Sequence, residues 1–259
     1  MGKYVVPSTG GQPGKKWVAV SVWTIVVAAG SGTRFGGLKQ FEQLGSRRVV
    51  DWSIGTAFGP SDGVVVVVPA EALTSVAAGG RAHTAAEHDA VLSAIEALAL
   101  PRSDGDHCVW FIEGGATRSA SVRKGLELVP TDASIVLVHD GARPFASAEL
   151  FDRVIEMVRN GADGAIPAVA VTDTIKRVDA DGTITATVDR SDLRAAQTPQ
   201  AFRAKALRAA YVDGSDATDD AAVVASAGGR VVVVEGDPEN RKITTLADLE
   251  WARQKVASI

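Results

Sequence analysis

Thr24-Ile25-Val26-Val27-Ala28-Ala29-Gly30-Ser31-Gly32-Thr33-Arg34-Phe35-Gly36-Gly37-Leu38-Lys39 is the stretch on which the fold turns. It closes an apolar run over 17–29 that follows Lys15 and Lys16 and imitates a secretory leader. The run is too short for a membrane span, which takes roughly 20 apolar residues. It is rich in β-branched side chains, among them Val18, Val20, Val22, Thr24, Ile25, Val26 and Val27. It also empties directly into Gly30-Ser31-Gly32. Those features fit a buried parallel strand that ends at a glycine turn. Cleavage after Ala29 would cut the strand from its turn. The expectation is a cytoplasmic protein with a loose extension over 1–16 and a single domain over 17–259.

The rest of the chain repeats this design. Valine-rich runs at 63–69, 109–112, 135–138, 164–169 and 231–235 read as strands. Helical spacing covers 87–100, 118–128, 150–158, 202–211, 219–227 and the stretch from Thr245. Strands alternating with helices predict a Rossmann-like α/β fold, its mainly parallel sheet flanked by helices. Between 171 and 198 the pattern changes. Residues 172–178 and 183–188 alternate around the turn signal Asp181-Gly182, which predicts a polar β-hairpin arm. An arm wet on both faces cannot stabilise itself and calls for a partner.

The chain has 259 residues, 46% hydrophobic and 22% charged, and its Lys+Arg 27 against Asp+Glu 31 gives a net charge of −4. These figures exclude a disordered chain, a collagen-like repeat and a disulfide scaffold. A general nucleic-acid binder would need a basic excess. A single cysteine, Cys108, permits no internal disulfide and no cysteine metal cluster, and reads as a small buried hydrophobe.

Ligands of open α/β sheets sit beyond the carboxyl ends of the strands. At the first such end, Phe35 stands where a dinucleotide fingerprint needs glycine, and Leu38-Lys39-Gln40 is not the Gly-Lys-Ser/Thr of a P-loop. What survives is a glycine turn able to cradle an anion, followed by Arg34 and Lys39. A second end, Val138-His139-Asp140-Gly141-Ala142-Arg143, offers a carboxylate for a metal–phosphate complex and an arginine for a second anion. Taken alone, Asp140 reads equally as a cap on the following turn, and His139 reads as a packed strand residue. Gly114-Gly115-Ala116-Thr117 opens a helix that carries Ser121, and a late loop carries Lys242. Four loops bringing Arg34, Lys39, Arg143 and Lys242 around Asp140 point to a polyphosphate with Mg²⁺.

The ordered motifs resemble a known family. Ala28-Ala29-Gly30-Ser31-Gly32-Thr33-Arg34 with Lys39-Gln40 is similar to nucleotidyltransferases that join a nucleoside triphosphate to a sugar phosphate. The further set narrows the resemblance: 139–144, 173–176, 188–190, Gln197-Thr198-Pro199-Gln200, Thr218-Asp219-Asp220 and Lys242-Ile243-Thr244. It resembles the 2-C-methyl-D-erythritol 4-phosphate cytidylyltransferases of the non-mevalonate isoprenoid pathway. The resemblance runs in order from about Thr24 to the C-terminus.

It implies a CTP site of Ala28, Ala29, Gly30, Ser31, Gly32, Arg34, Lys39, Gly115, Ala116, Ser121, Asp140 and Gly141. It implies a polyol-phosphate site of Asp140, Arg143, Thr174, Arg190, Thr198, Thr218 and Lys242. Arg34, Lys39, Arg190 and Lys242 form the implied catalytic set, and Asp140 lies beside Mg²⁺ bound mainly through the CTP phosphates. In the family Thr174, Arg190 and Thr198 reach the substrate of the neighbouring subunit, which implies a homodimer joined through the arm. Nucleic acid and membrane are not expected partners. Ribitol 5-phosphate is the alternative acceptor, and a non-catalytic nucleotide-binding or dimeric interaction protein is the alternative of another class. Gly141 stands where alanine is common.

Overall fold

The structure, a computed structural model, describes residues 20–30, 32, 35–73, 108–212 and 217–258. The extension over 1–16, the start of the first strand at Trp17, the helix expected over 87–100, Ser31 and Arg34 lie outside these residues, as does the side chain of Cys108.

The valine runs fold as the sequence predicts. Strand β1 is Val22–Val27, and a small antiparallel pair, β2 (Gln43–Leu44) and β3 (Arg47–Arg48), precedes helix α1 (Val49–Phe58). Then come β4 (Gly63–Val68), the short helix α2 (Ala70–Leu73), β5 (Cys108–Glu113), α3 (Arg118–Leu128), β6 (Ile135–Asp140), α4 (Ala148–Arg159) and β7 (Gly164–Ala170). The hairpin β8 (Ile175–Val178) and β9 (Ile184–Val188) follows, with β10 (Arg194–Ala196), β11 (Gln200–Arg203), α5 (Ala204–Ala210), α6 (Asp220–Ser226), β12 (Val231–Glu235) and α7 (Leu246–Ala257).

In the main sheet β1 pairs in parallel with β4 and with β6, β5 extends it beyond β4, and β12 runs parallel to β7. Among the described residues only β10 and β11 run against this direction. β11 is antiparallel to both β6 and β7, and β10 is antiparallel to β7. Side chains alternate between faces along a strand, so one valine run feeds two cores. Val64, Val66 and Val68 pack with α1 and α4 through Ile54, Phe58, Leu150 and Phe151. Val65 and Val67 pack on the other face with Val122 and Leu126 of α3 and Leu207 of α5.

Two expectations shift. A helix expected from Phe202 begins instead at Ala204, and Phe202 is a fully buried strand residue. The slot between β6 and β7 takes up Gln200–Arg203 through long-range pairing, which local periodicity does not carry. The arm placed at 171–198 contracts to a free-standing hairpin of β8 and β9, because Arg194–Ala196 returns to the main sheet. Every residue from 176 to 187 is exposed. Among the described residues no helix is long and apolar enough to cross a membrane.

Candidate active site

The parallel strands deliver their carboxyl ends to one edge, and a cleft of about 390 Å³ opens there. It gathers most of the expected CTP residues: Ala28, Ala29, Gly30, Gly32, Lys39, Gly115, Ala116, Ser121 and Asp140, together with Lys242.

The first wall is the glycine turn after β1. Gly32 adopts φ +65°, and a Cβ there would fall 1.8 Å from the Gly37 carbonyl oxygen. Glycine is therefore required for the loop to fold back on itself. Gly32 also accepts the amides of Phe35 at 2.8 Å and Gly36 at 2.9 Å, which carries the chain round to Lys39. The opposite wall starts at α3. Thr117 caps this helix by accepting the Ala120 amide at 3.1 Å. Ser121, buried one turn in, accepts the Gly115 amide at 3.1 Å and donates to the Thr117 carbonyl at 2.9 Å.

Asp140, the last residue of β6, is the centre of charge. Its carboxylate meets Lys242 Nζ at 2.8 Å, Arg143 Nε at 3.5 Å and Arg118 Nε at 3.5 Å. Burial by itself would raise its pKa; Lys242, Arg118 and Arg143 outweigh burial and hold the carboxyl far below the usual range. Gly141 allows the close approach behind it, since a Cβ there would sit 2.9 Å from that of Ala28. Lys242 is held in reach by its neighbour: Ile243 is fully buried under α7, and its amide donates to the Ala142 carbonyl at 2.9 Å.

Arg118 is the residue the sequence reading missed. It lines the cleft as the first residue of α3, and its Nη1 lies 2.8 Å from Asp220 Oδ2. Asp220 is wholly buried and accepts the Tyr211 hydroxyl at 2.6 Å. The Arg118 and Asp220 atoms approach closely without hydrogen-bond alignment, so charge holds this pair. Burial would lower the Arg118 pKa, but Asp220 and then Asp140 raise it, and the guanidinium stays charged. Its only sequence signal was a cation on the first turn of a helix that opens onto the expected site.

A second layer stands behind Asp140. Thr198 is 4% exposed, and its hydroxyl accepts the Asp140 amide at 2.9 Å while lying 3.1 Å from His139 Nδ1. His139 Nε2 lies 3.3 Å from the Arg143 carbonyl oxygen. A neutral Nε2–H imidazole satisfies both contacts, with Thr198 donating to Nδ1. Burial lowers the His139 pKa from 6.5 to about 4, against the pull of Asp140. Asn240 donates to the Thr198 carbonyl at 2.8 Å, and Arg143 Nη1 donates to the Asn240 carbonyl at 2.7 Å.

The other expected residues fall outside the cleft wall. Gly141 and Arg143 support Asp140 from behind, and Thr198 sits beneath it rather than on an open face. Thr174 and Thr218 are exposed; Arg190 is exposed and donates to the Thr172 carbonyl at the base of the hairpin.

A parallel sheet that ends in a glycine anion cradle, with cations gathered about one aspartate, defines an α/β protein of the nucleotidyltransferase class. The comparisons give the family. The sequence profile of 2-C-methyl-D-erythritol 4-phosphate cytidylyltransferase matches residues 22–258, and the chain belongs to that family. It is 41% identical over 236 residues to the 2-C-methyl-D-erythritol 4-phosphate cytidylyltransferase of Nocardia farcinica, covering 90% of this chain and 92% of that protein. It is also 41% identical over 241 residues to a bifunctional enzyme IspD/IspF of Solidesulfovibrio magneticus, covering 89% of this chain. The chain spans only 56% of that longer relative. Among solved structures, 4-diphosphocytidyl-2C-methyl-D-erythritol synthase of Anaerococcus prevotii superposes with a TM-score of 0.71 at 28% identity, covering 92% of this chain and 98% of that one. The 2-C-methyl-D-erythritol 4-phosphate cytidylyltransferase of Thermus thermophilus gives 0.67 at 32% identity, with 92% and 98% covered.

Proposed function

We propose that the chain transfers the cytidylyl group of CTP to 2-C-methyl-D-erythritol 4-phosphate and releases pyrophosphate. The observation that carries this reading is the convergence of Lys39, Arg118, Lys242 and Asp140 on a cleft whose walls are a glycine turn and a capped helix start. A phosphate oxygen of the acceptor attacks the α-phosphorus of CTP; the new P–O bond replaces the bond to the β-phosphate, and pyrophosphate leaves with its electron pair. The nucleophile is already an anion, so no general base is needed. The protein's work is to bring two anions together and to stabilise the charge of the transition state. That fits a site made of cations and backbone amides. Lys39 serves the triphosphate, and Lys242 orients the incoming phosphate. Arg34 stands in the catalytic set by family resemblance.

Magnesium fits the donor set in a limited way. Among the described residues no group of three or more His, Cys, Asp or Glu side chains could hold a metal. Among those same residues Asp140 is the one carboxylate lining the cleft. Mg²⁺ would therefore be held by phosphate oxygens and water with Asp140 beside it, as this ion tends to be. When bound it would neutralise triphosphate charge.

The arm reads as the contact between two copies, with Thr174 and Arg190 serving the polyol phosphate of the neighbouring site. Its exposed Val178 (54%) and Ile184 (61%) face each other across the hairpin, an apolar pair left uncovered in one chain. A two-stranded hairpin is marginal without such cover. Mixed and re-associated Lys39→Ala and Arg190→Ala subunits should regain activity that each lacks alone; mixtures that stay dead would remove the shared site.

Pyrophosphate release should be measured with four nucleoside triphosphates against several polyol phosphates. CTP with methylerythritol phosphate is expected to lead. Preference for UTP or GTP overturns the cytidylyl reading, preference for ribitol 5-phosphate reassigns the acceptor, and no turnover with retained CTP binding makes it a binding protein.

A further inference from the structure

We propose that Gln40 is a positioning residue for the polyphosphate, acting through the peptides of the glycine turn. It occupies the 3-10 turn Lys39–Phe41 and is 3% exposed. Its Nε2 donates to the carbonyl of Ala28 at 2.7 Å and to that of Gly30 at 2.9 Å. Both partners are acceptors, so only the NH₂ end of the side chain can face them.

The last backbone bond to the sheet is the Ala28 amide on the Val67 carbonyl at 2.7 Å; beyond it no ladder fixes the Ala28 and Gly30 carbonyls, and glycine peptides rotate at little steric cost. A carbonyl turned into the cleft would meet phosphate with a partial negative charge. A planar trans peptide points its N–H opposite to its C=O. By engaging the Ala28 carbonyl, Gln40 therefore turns the Ala29 N–H away from itself, and it keeps two repelling oxygens occupied. The clamp and the cation arrive together, because Lys39 precedes Gln40 in the same turn and the Lys39 amide donates to the Gly37 carbonyl at 2.9 Å. One short turn thus fixes the backbone donors and delivers the side-chain charge.

This inference rests on the CTP reading above, and its test separates the two. Wild type, Gln40→Glu and Gln40→Met are assayed for KM of CTP, KM of the polyol phosphate and inhibition by pyrophosphate. Gln40→Glu sets carboxylate oxygens against two carbonyls, and Gln40→Met leaves both without a donor. In both variants KM for CTP should rise about tenfold or more, matching loss of about 1.4 kcal/mol of binding. Pyrophosphate inhibition should weaken by a similar factor, while KM for the polyol phosphate stays within about twofold. Gln40→Asn, which retains a shorter amide, should fall between wild type and Gln40→Met, and it serves if either other variant fails to fold. A wild type that does not bind CTP overturns the nucleotide reading. A wild type that binds CTP while all variants keep its KM, or lose both substrates equally, overturns the role of Gln40.

Discussion

His139 should make the fold acid-sensitive in a window where the carboxylates do not. The side chain is wholly buried, pressed against the Phe151 ring with centroids 5.3 Å apart, and neutral in the folded state. Its pKa falls from 6.5 to about 4 on folding, burial being the main cause. Below pH 6.5 the unfolded chain binds a proton there that the folded chain refuses, so stability falls with pH until about 4. The slope for one proton is about 1.4 kcal/mol per pH unit. Between pH 6.5 and 5 the loss is therefore about 2 kcal/mol, a large fraction of an ordinary domain's stability. Asp140 adds no slope there: its folded pKa is depressed, so its stabilising effect is complete above the normal carboxylate pKa and fades only as pH drops below it. Urea unfolding followed by tryptophan fluorescence in metal-free buffer, from pH 7.5 to 4.5, compares wild type with His139→Gln. Subtraction removes the share of His83, His88 and His107. Wild type should lose about 2 kcal/mol more than the variant between pH 6.5 and 5, and parallel profiles would refute the buried neutral imidazole.

Two further predictions rest on neighbouring parts of the site. Arg118→Met leaves the buried Asp220 with only the Tyr211 hydroxyl, and losing one partner of a buried pair costs about 3–5 kcal/mol. Adding Asp220→Asn should restore at least half of the stability in a double-mutant cycle, while activity stays impaired because Arg118 faces the cleft; additive losses would show that the two residues are not coupled. Gly32→Ala and Gly36→Ala both force a left-handed conformation on alanine, a strain of about 1–2 kcal/mol. Only the first also collides with backbone, so Gly32→Ala should abolish stabilisation by CTP in thermal melts while Gly36→Ala keeps most of it. Equal effects would mean that strain alone matters.

The sequence made legible what depends on local pattern. Five successive valines announce a strand buried on both faces, Asp181-Gly182 announces a hairpin, and Thr245 announces a helix start, where it and Asp248 form a reciprocal cap. Asp140 and Lys242 were legible as charges at strand ends. What stayed hidden depends on partners distant in the chain. Arg118 looks like any cation in a first helical turn until Asp220 arrives from another helix. Thr198 sits among polar residues in the sequence, yet β10 and β11 fold back beside β7 and bury its hydroxyl against Asp140 and His139. Gln40 stands next to an evident lysine, and nothing local says that its amide reaches back to two carbonyls. In each case the missing information is a hydrogen bond or ion pair, which leaves no periodicity to read.

Charge counting alone misjudges such a site. Arg118, Arg143 and Lys242 would repel one another if gathered at the end of one strand without a counter-ion. Asp140 supplies that counter-ion: its buried carboxylate lies within 3.5 Å of all three. Asp220 then takes up part of the charge of Arg118. Asp140 and Asp220 thus offset two of these three positive charges at fixed positions. A chain of net charge −4 can hold polyanions on these terms, because recognition depends on where a few cations are fixed and not on their excess over the whole surface. Asp140 can gather these cations because its backbone is pinned at the last residue of β6: Val27 of β1 pairs with it on one side, and the Thr198 hydroxyl accepts its amide at 2.9 Å on the other.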